Sequence, residues 1–132
     1  MYLDANIFIY AFIGKGEKKE KCRLILKNIE NGRIQGKISV LVLDEVFWIL
    51  KKEIGEEEAI EARKIMLSLP EKILKIDEAV ALRAIELIER YDLKPRDAIH
   101  SAIVLINDVS ILTDDDDFDV VGEIDRKKIE EV

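Results

Sequence analysis

Apolar positions in this chain fall into short unbroken runs separated by longer stretches with helical spacing. Met1 to Leu3 is the first run, short enough to predict a buried strand. It stops on Asp4 and turns, through Asp4-Ala5-Asn6, into the apolar stretch Ile7 to Ile13. Beyond a Gly14-Lys15-Gly16 loop, Glu17 to Asn31 carries a stripe of Cys22, Ile25, Leu26 and Ile29, which predicts a helix with Gly32 as its stop signal. Ile34 to Ile38 predicts a second strand despite Gly36, and Ser39 is placed to cap the next helix. That helix, Val40 to about Lys52, is apolar nearly all round and is therefore expected to be buried, yet Asp44 and Glu45 sit in its middle.

Glu56 to Leu69 predicts another helix, with Ala59, Ile60, Ala62, Ile65, Met66 and Leu69 as its apolar side and Pro70 as its end. Ile73 to Ile76 predicts a short third strand. Asp77 then caps an amphipathic helix reaching Arg90, whose expected core residues are Val80, Leu82, Ala84, Ile85, Leu87 and Ile88. Pro95 suits the first turn of a helix running to Ile106, where Ala98, Ser101 and Ala102 are small enough to let it lie close on a sheet. Asn107-Asp108 turns into a fourth strand, Val109 to Leu112. Val120-Val121 is expected to add a short fifth strand, and Asp125 to Val132 a charged, helical tail. The order predicts a single α/β domain over residues 1–132, with a mostly parallel sheet of four to five strands. Right-handed crossovers would place helices on both faces.

Composition narrows this. A chain of 132 residues, 48% hydrophobic and 37% charged, can bury one sizeable core. A net charge of -7 excludes a generally basic nucleic-acid binder but leaves room for a local basic rim. The one cysteine, Cys22, permits no internal disulfide, offers no metal-ligand spacing, and falls on a core stripe. Acids and His100 interrupt the longest apolar stretches, so no membrane span is expected. Met1-Tyr2-Leu3-Asp4 has no basic start, so no signal peptide is expected and a cytoplasmic protein is the default.

The candidate chemistry lies in the acids. Thr113 is followed by four aspartates, Asp114 to Asp117. Two carboxylates about 4 Å apart repel by roughly 4 kcal/mol at an effective dielectric near 20. A fold must splay such groups into water, protonate some, or give them a cation to share. A solvated acidic turn is the plain explanation, and Asp97 could be no more than a helix-start residue favoured by the helix dipole. Three acids in apolar surroundings far away in sequence favour a shared cation: Asp4 at the carboxyl end of the first strand, where α/β sheets build sites, Glu45 within a buried helix, and Asp97 at a helix start. With Asp115 they form an all-oxygen set suited to Mg²⁺ or Mn²⁺ rather than zinc. His100, the only histidine, is expected to be structural or at most to support a ligand. Lys15, Lys18, Lys19, Lys94 and Arg96 are candidates for steering phosphate. Gly14-Lys15-Gly16 lacks the spacing of a phosphate-binding loop.

With these residues in place, the sequence closely resembles the PIN-domain nucleases, and among them the VapC-like toxins of prokaryotic toxin–antitoxin pairs. The resemblance is carried by Leu3-Asp4-Ala5-Asn6-Ile7, by Ser39 with Glu45 six residues later, by Pro95-Arg96-Asp97-Ala98-Ile99-His100, and by Leu112-Thr113-Asp114-Asp115-Asp116-Asp117-Phe118. It implies metal-binding and catalytic acids at Asp4, Glu45, Asp97 and Asp115, a fifth metal ligand at Asp117, and supporting polar residues at Asn6 and Thr113. The spacing from Ser39 favours Glu45 over Asp44, and the position of Phe118 favours Asp115 over Asp114 or Asp116. It further implies a metal-dependent endoribonuclease acting on RNA, a homodimer, and a small antitoxin protein that blocks the site. Two alternatives stand beside it. One is a non-catalytic module that binds metal and RNA or a partner. The other is an aspartate-based phosphotransfer enzyme, which would find Asn6 where a second acid is usual.

Overall fold

Tyr2–Leu3 forms β1, the middle strand of a five-stranded sheet, in a computed structural model that describes residues 1–132. In chain order there follow α1 (Ala5–Ile13), α2 (Gly16–Glu30), β2 (Lys37–Ser39), α3 (Val40–Ile54), α4 (Glu56–Ser68), β3 (Lys72–Leu74), α5 (Glu78–Arg90), α6 (Pro95–Ile106), β4 (Ile111–Leu112) and β5 (Arg126–Lys127). Single 3₁₀ turns occupy Asp116–Val120 and Ile129–Glu131. The strand order is β3-β2-β1-β4-β5 and all four pairings are parallel. The chain therefore steps outward from β1 to β3, then crosses back over the sheet to β4. Right-handed crossovers put α1 to α4 on one face and α5 with α6 on the other. Both faces being covered, Tyr2, Leu3, Ile111 and Leu112 are wholly buried, which explains unbroken apolar runs instead of alternation.

Local rules account for several element ends. Asp77 accepts a hydrogen bond from the Val80 N–H and starts α5. Pro95 opens α6. Gly32, at φ 73°, takes a left-handed conformation just after α2, which glycine tolerates without strain. Ala98, Ser101 and Ala102 have no exposed surface, so α6 does lie tightly on the sheet, and Cys22 is core. No helix is long and apolar enough to cross a membrane.

Several expectations are corrected. The fifth strand is Arg126–Lys127, not Val120-Val121, which fall at the end of a 3₁₀ turn. Backbone bonds make it a strand, among them Ile111 N–H to Asp125 O and Thr113 N–H to Lys127 O. A charged dipeptide at a sheet edge carries no apolar signal, so the tail read as helical. Ser39 precedes α3 but makes no capping bond; its hydroxyl is used elsewhere. β2 begins at Lys37, leaving Ile34 to Gly36 outside it. Leu82, Ile85 and Ile88 are exposed rather than core, as are Ile60 and Ile65. Only the narrow stripes Val80, Ala84, Leu87 and Ala59, Ala62, Met66 face inward.

One buried acid lies far from the carboxylates considered below. Both carboxylate oxygens of Glu71, just before β3, are buried without a partner from elsewhere in the chain. Burial pushes this carboxyl up from 4.5 to about 7. The folded state thus holds a proton that the unfolded chain releases, and stability falls as pH rises from about 4.5 to about 7, then levels. The residue as a whole is only partly buried, which screens part of the effect, so Glu71→Gln should gain about 1 kcal/mol near pH 8 and nothing near pH 4. Urea unfolding at the two pH values checks this; equal gains at both would contradict it.

Candidate metal centre

The carboxyl ends of β1 and β4 lie side by side, and each releases an acid there. Asp4 leaves β1 in extended conformation and caps α1, its Oδ1 accepting from the Ala5 N–H at 2.7 Å. Its Oδ2 accepts from the Thr113 hydroxyl at 2.6 Å and more weakly from Asn6 Nδ2 at 3.4 Å. Thr113 is the hub of this corner. Its oxygen also accepts from Asn6 Nδ2 and from the Asp115 N–H, each at 3.0 Å. Asp115 Oδ1 in turn accepts from the Asp117 N–H at 2.9 Å, which turns the chain into the 3₁₀ segment.

That turn divides the acidic run. Asp114 points to Tyr10 (2.9 Å) and Lys18 (2.7 Å), and the Lys18 hydrogen bond holds its carboxyl below the usual range. Asp119 grips Arg126 through both oxygens, at 2.6 and 2.8 Å, and is likewise lowered. Asp116 is exposed. Asp115 and Asp117 remain, and both face Asp97 in the first turn of α6. One carboxylate oxygen from each of Asp97, Asp115 and Asp117 lies within 4.8 Å of the others. The only basic group within 4 Å of these three is Lys94 Nζ, 4.0 Å from Asp117 Oδ2. Together with Asp92, Asp116 and Asp119, Asp97 and Asp117 border an open cleft of about 670 Å³.

Asp4 and Glu45 stand outside the trio. Asp4 is 7% exposed and raised, chiefly by burial, against the opposing pull of His100 and the Thr113 bond. Asp97 is raised by burial and then by the charges of Asp115 and Asp4, so these acids share one electrostatic neighbourhood. Glu45 reaches from α3 to His100 on α6, with Oε1 2.5 Å from Nε2. Asp44 is exposed. His100 is raised: burial opposes the charged ring, but the Glu45 bond and the charges of Glu45, Asp4 and Asp97 outweigh it. Of the basic candidates, Lys18 is engaged with Asp114, and Lys15, Lys94 and Arg96 are exposed.

Sequence reasoning missed Tyr2, which reads as an apolar strand residue. Its hydroxyl bridges Ser39 Oγ and His100 Nδ1, at 2.7 Å each. The available signal was that a buried tyrosine needs a partner, and the chain holds a single histidine.

Three carboxylates converging with one distant lysine make a donor set that fits a hard divalent cation such as Mg²⁺ or Mn²⁺; no nitrogen or sulfur ligand belongs to it. A parallel α/β sheet with an acidic centre at its carboxyl edge is the class of protein defined so far. The chain belongs to the PIN domain family, whose model matches residues 1–124. Among curated proteins none matches the sequence. Among solved structures, it is similar to a toxin–antitoxin complex from Klebsiella pneumoniae, at 24% identity and TM-score 0.71, covering 99% of this chain and 98% of that one. It is similar to VapBC2 from Rickettsia felis bound to a promoter DNA fragment, at 18% identity and TM-score 0.74, covering 96% of each chain. The Sarcin-Ricin loop cleaving toxin VapC20 of Mycobacterium tuberculosis gives 19% identity and TM-score 0.75, covering 92% and 94%. At these identities the likeness concerns the fold.

Without metal, the trio stores mutual repulsion. Asp97→Asn should therefore raise the Tm of metal-free protein by about 1–3 °C and remove most of the Tm rise that Mn²⁺ gives the wild type. Differential scanning fluorimetry with and without Mn²⁺ checks both; a lower Tm without metal would speak against repulsion.

Proposed function

We propose that this protein is a divalent-metal-dependent endoribonuclease that hydrolyses RNA phosphodiester bonds. The observation that carries this is the convergence of Asp97, Asp115 and Asp117, from two separate elements, at the open carboxyl edge of the sheet. We assign Asp97, Asp115 and Asp117 as ligands, with Asp4 and Glu45 as further ligands of the same acidic site. Bound Mg²⁺ or Mn²⁺ would activate water for attack and screen the charge of a phosphodiester. The protein's own part is geometric. Thr113 and Asn6 hold Asp4 and fix the turn that presents Asp115 and Asp117. Lys94, exposed in the lining of the cleft, and Arg96, exposed two residues further on, would meet phosphate. An acidic protein of net charge -7 would otherwise repel RNA, so the cation also permits the encounter.

Membership of the PIN family and the likeness to toxin–antitoxin structures support a place as the toxin of a type II pair. It would be a cytoplasmic homodimer whose site a small antitoxin protein blocks. Phosphotransfer through Asp4 is disfavoured, because Asn6 stands where that reaction needs a second acid as proton donor.

Cleavage of defined structured RNAs with Mn²⁺ tests the proposal. Asp97→Asn and Asp115→Asn should each lower the rate at least about 100-fold while remaining folded, and chelator should abolish cleavage by the wild type. Cleavage persisting in chelator at the same rate in all three proteins would reject it. Mn²⁺ binding with no turnover on any RNA would favour a non-catalytic module.

A further inference from the structure

Beneath the acids runs a second polar chain that links four elements. Ser39 at the end of β2 meets Tyr2 of β1, Tyr2 meets His100 of α6, and His100 meets Glu45 of α3. Tyr2 and Ser39 have no exposed surface and His100 has 1%. The imidazole is also held between two aromatic rings, with centroids 5.7 Å away at Tyr2 and 6.4 Å away at Phe118. Both ring nitrogens have partners, so the ring cannot turn without orphaning a buried group. Donation can run in either direction along the chain, and the neutral ring satisfies every donor. With a neutral ring, Ser39 donates to Tyr2, Tyr2 to Nδ1, and Nε2–H to Glu45; with a cationic ring, Nδ1–H donates to Tyr2 and Tyr2 to Ser39. The geometry therefore holds whichever form is present.

We propose that His100 is a positioning residue for Glu45. Clamped by Tyr2 and Phe118, it fixes one carboxylate oxygen, Oε1, and leaves Oε2 without a protein partner as the oxygen available to a divalent ion. This rests on the reading of the acids as a metal site with Glu45 among its ligands. His100 stands one helical turn after Asp97, so α6 sets the orientation of two acids at once: Asp97 directly, and Glu45 through the ring. A ligand left to rotate freely binds its ion more weakly, because the ion must order it.

Mn²⁺ affinity measured by calorimetry, beside the Tm without metal, tests the role. His100→Leu should weaken Mn²⁺ binding about 10–100-fold, whereas His100→Gln, whose amide can donate to Glu45, should stay within about 3-fold of wild type. Both variants should lose Tm, since neither offers Tyr2 its former partner. In a Glu45→Gln background, adding His100→Leu should weaken binding no further. Should His100→Leu fail to fold, Tyr2→Phe keeps the ring packing and removes one hydroxyl; it should weaken Mn²⁺ binding about 3–10-fold. Wild-type affinity in His100→Leu, or in Tyr2→Phe if that is the variant that folds, would overturn the role of His100 alone. Equal losses in His100→Leu and His100→Gln would also overturn it. No Mn²⁺ binding by the wild type would overturn the metal site and this inference together.

Discussion

A single hydrogen bond between two strand ends organises the site. The Thr113 hydroxyl donates to Asp4 Oδ2 at 2.6 Å, tying the exit of β4 to the exit of β1. Those exits carry the acids because a parallel sheet aligns all its carboxyl ends on one edge. Asp4, buried at the start of α1, is a carboxylate that burial alone would disfavour. His100, Thr113 and the Ala5 N–H offset part of that cost, and the same threonine oxygen receives the Asp115 N–H, which starts the turn carrying Asp115 and Asp117. One residue thus eases a desolvation problem and sets the direction of Asp115 and Asp117.

The acids that remain are kept close against their own repulsion by elements that cannot move apart. Asp97 belongs to α6, which small residues press onto the sheet, and Asp117 belongs to a turn anchored beneath by Phe118. Where the fold does not want this repulsion it relieves it, giving Lys18 to Asp114 and Arg126 to Asp119. The trio receives only Lys94 at 4.0 Å. That unequal distribution of counter-charge among neighbouring aspartates supports the proposed cation site over a plain acidic turn.

Much of this was legible in the sequence because it depends on spacing. An apolar run ending on an acid, a helix opening Pro95-Arg96-Asp97, and a strand ending Thr113-Asp114 place their residues through local rules alone. What was not legible depends on partners distant in sequence. Asp114 and Asp115 look alike until Lys18, 96 residues from Asp114, selects the former. Ser39 looks like a helix cap until Tyr2 claims its hydroxyl, and Tyr2 looks apolar until His100 gives it a partner. β5 escaped notice since an edge strand of Arg126 and Lys127 is held by backbone bonds, which leave no mark on side-chain pattern. Leu82, Ile85 and Ile88 misled in the opposite direction: helical spacing reports apolar character, not what lies against it.

Crystals soaked in Mn²⁺ and measured for anomalous scattering offer the most direct measurement. A shared cation predicts an anomalous peak bonded by carboxylate oxygens of Asp97, Asp115 and Asp117. No peak there at millimolar Mn²⁺, with the three side chains splayed into solvent, would contradict it.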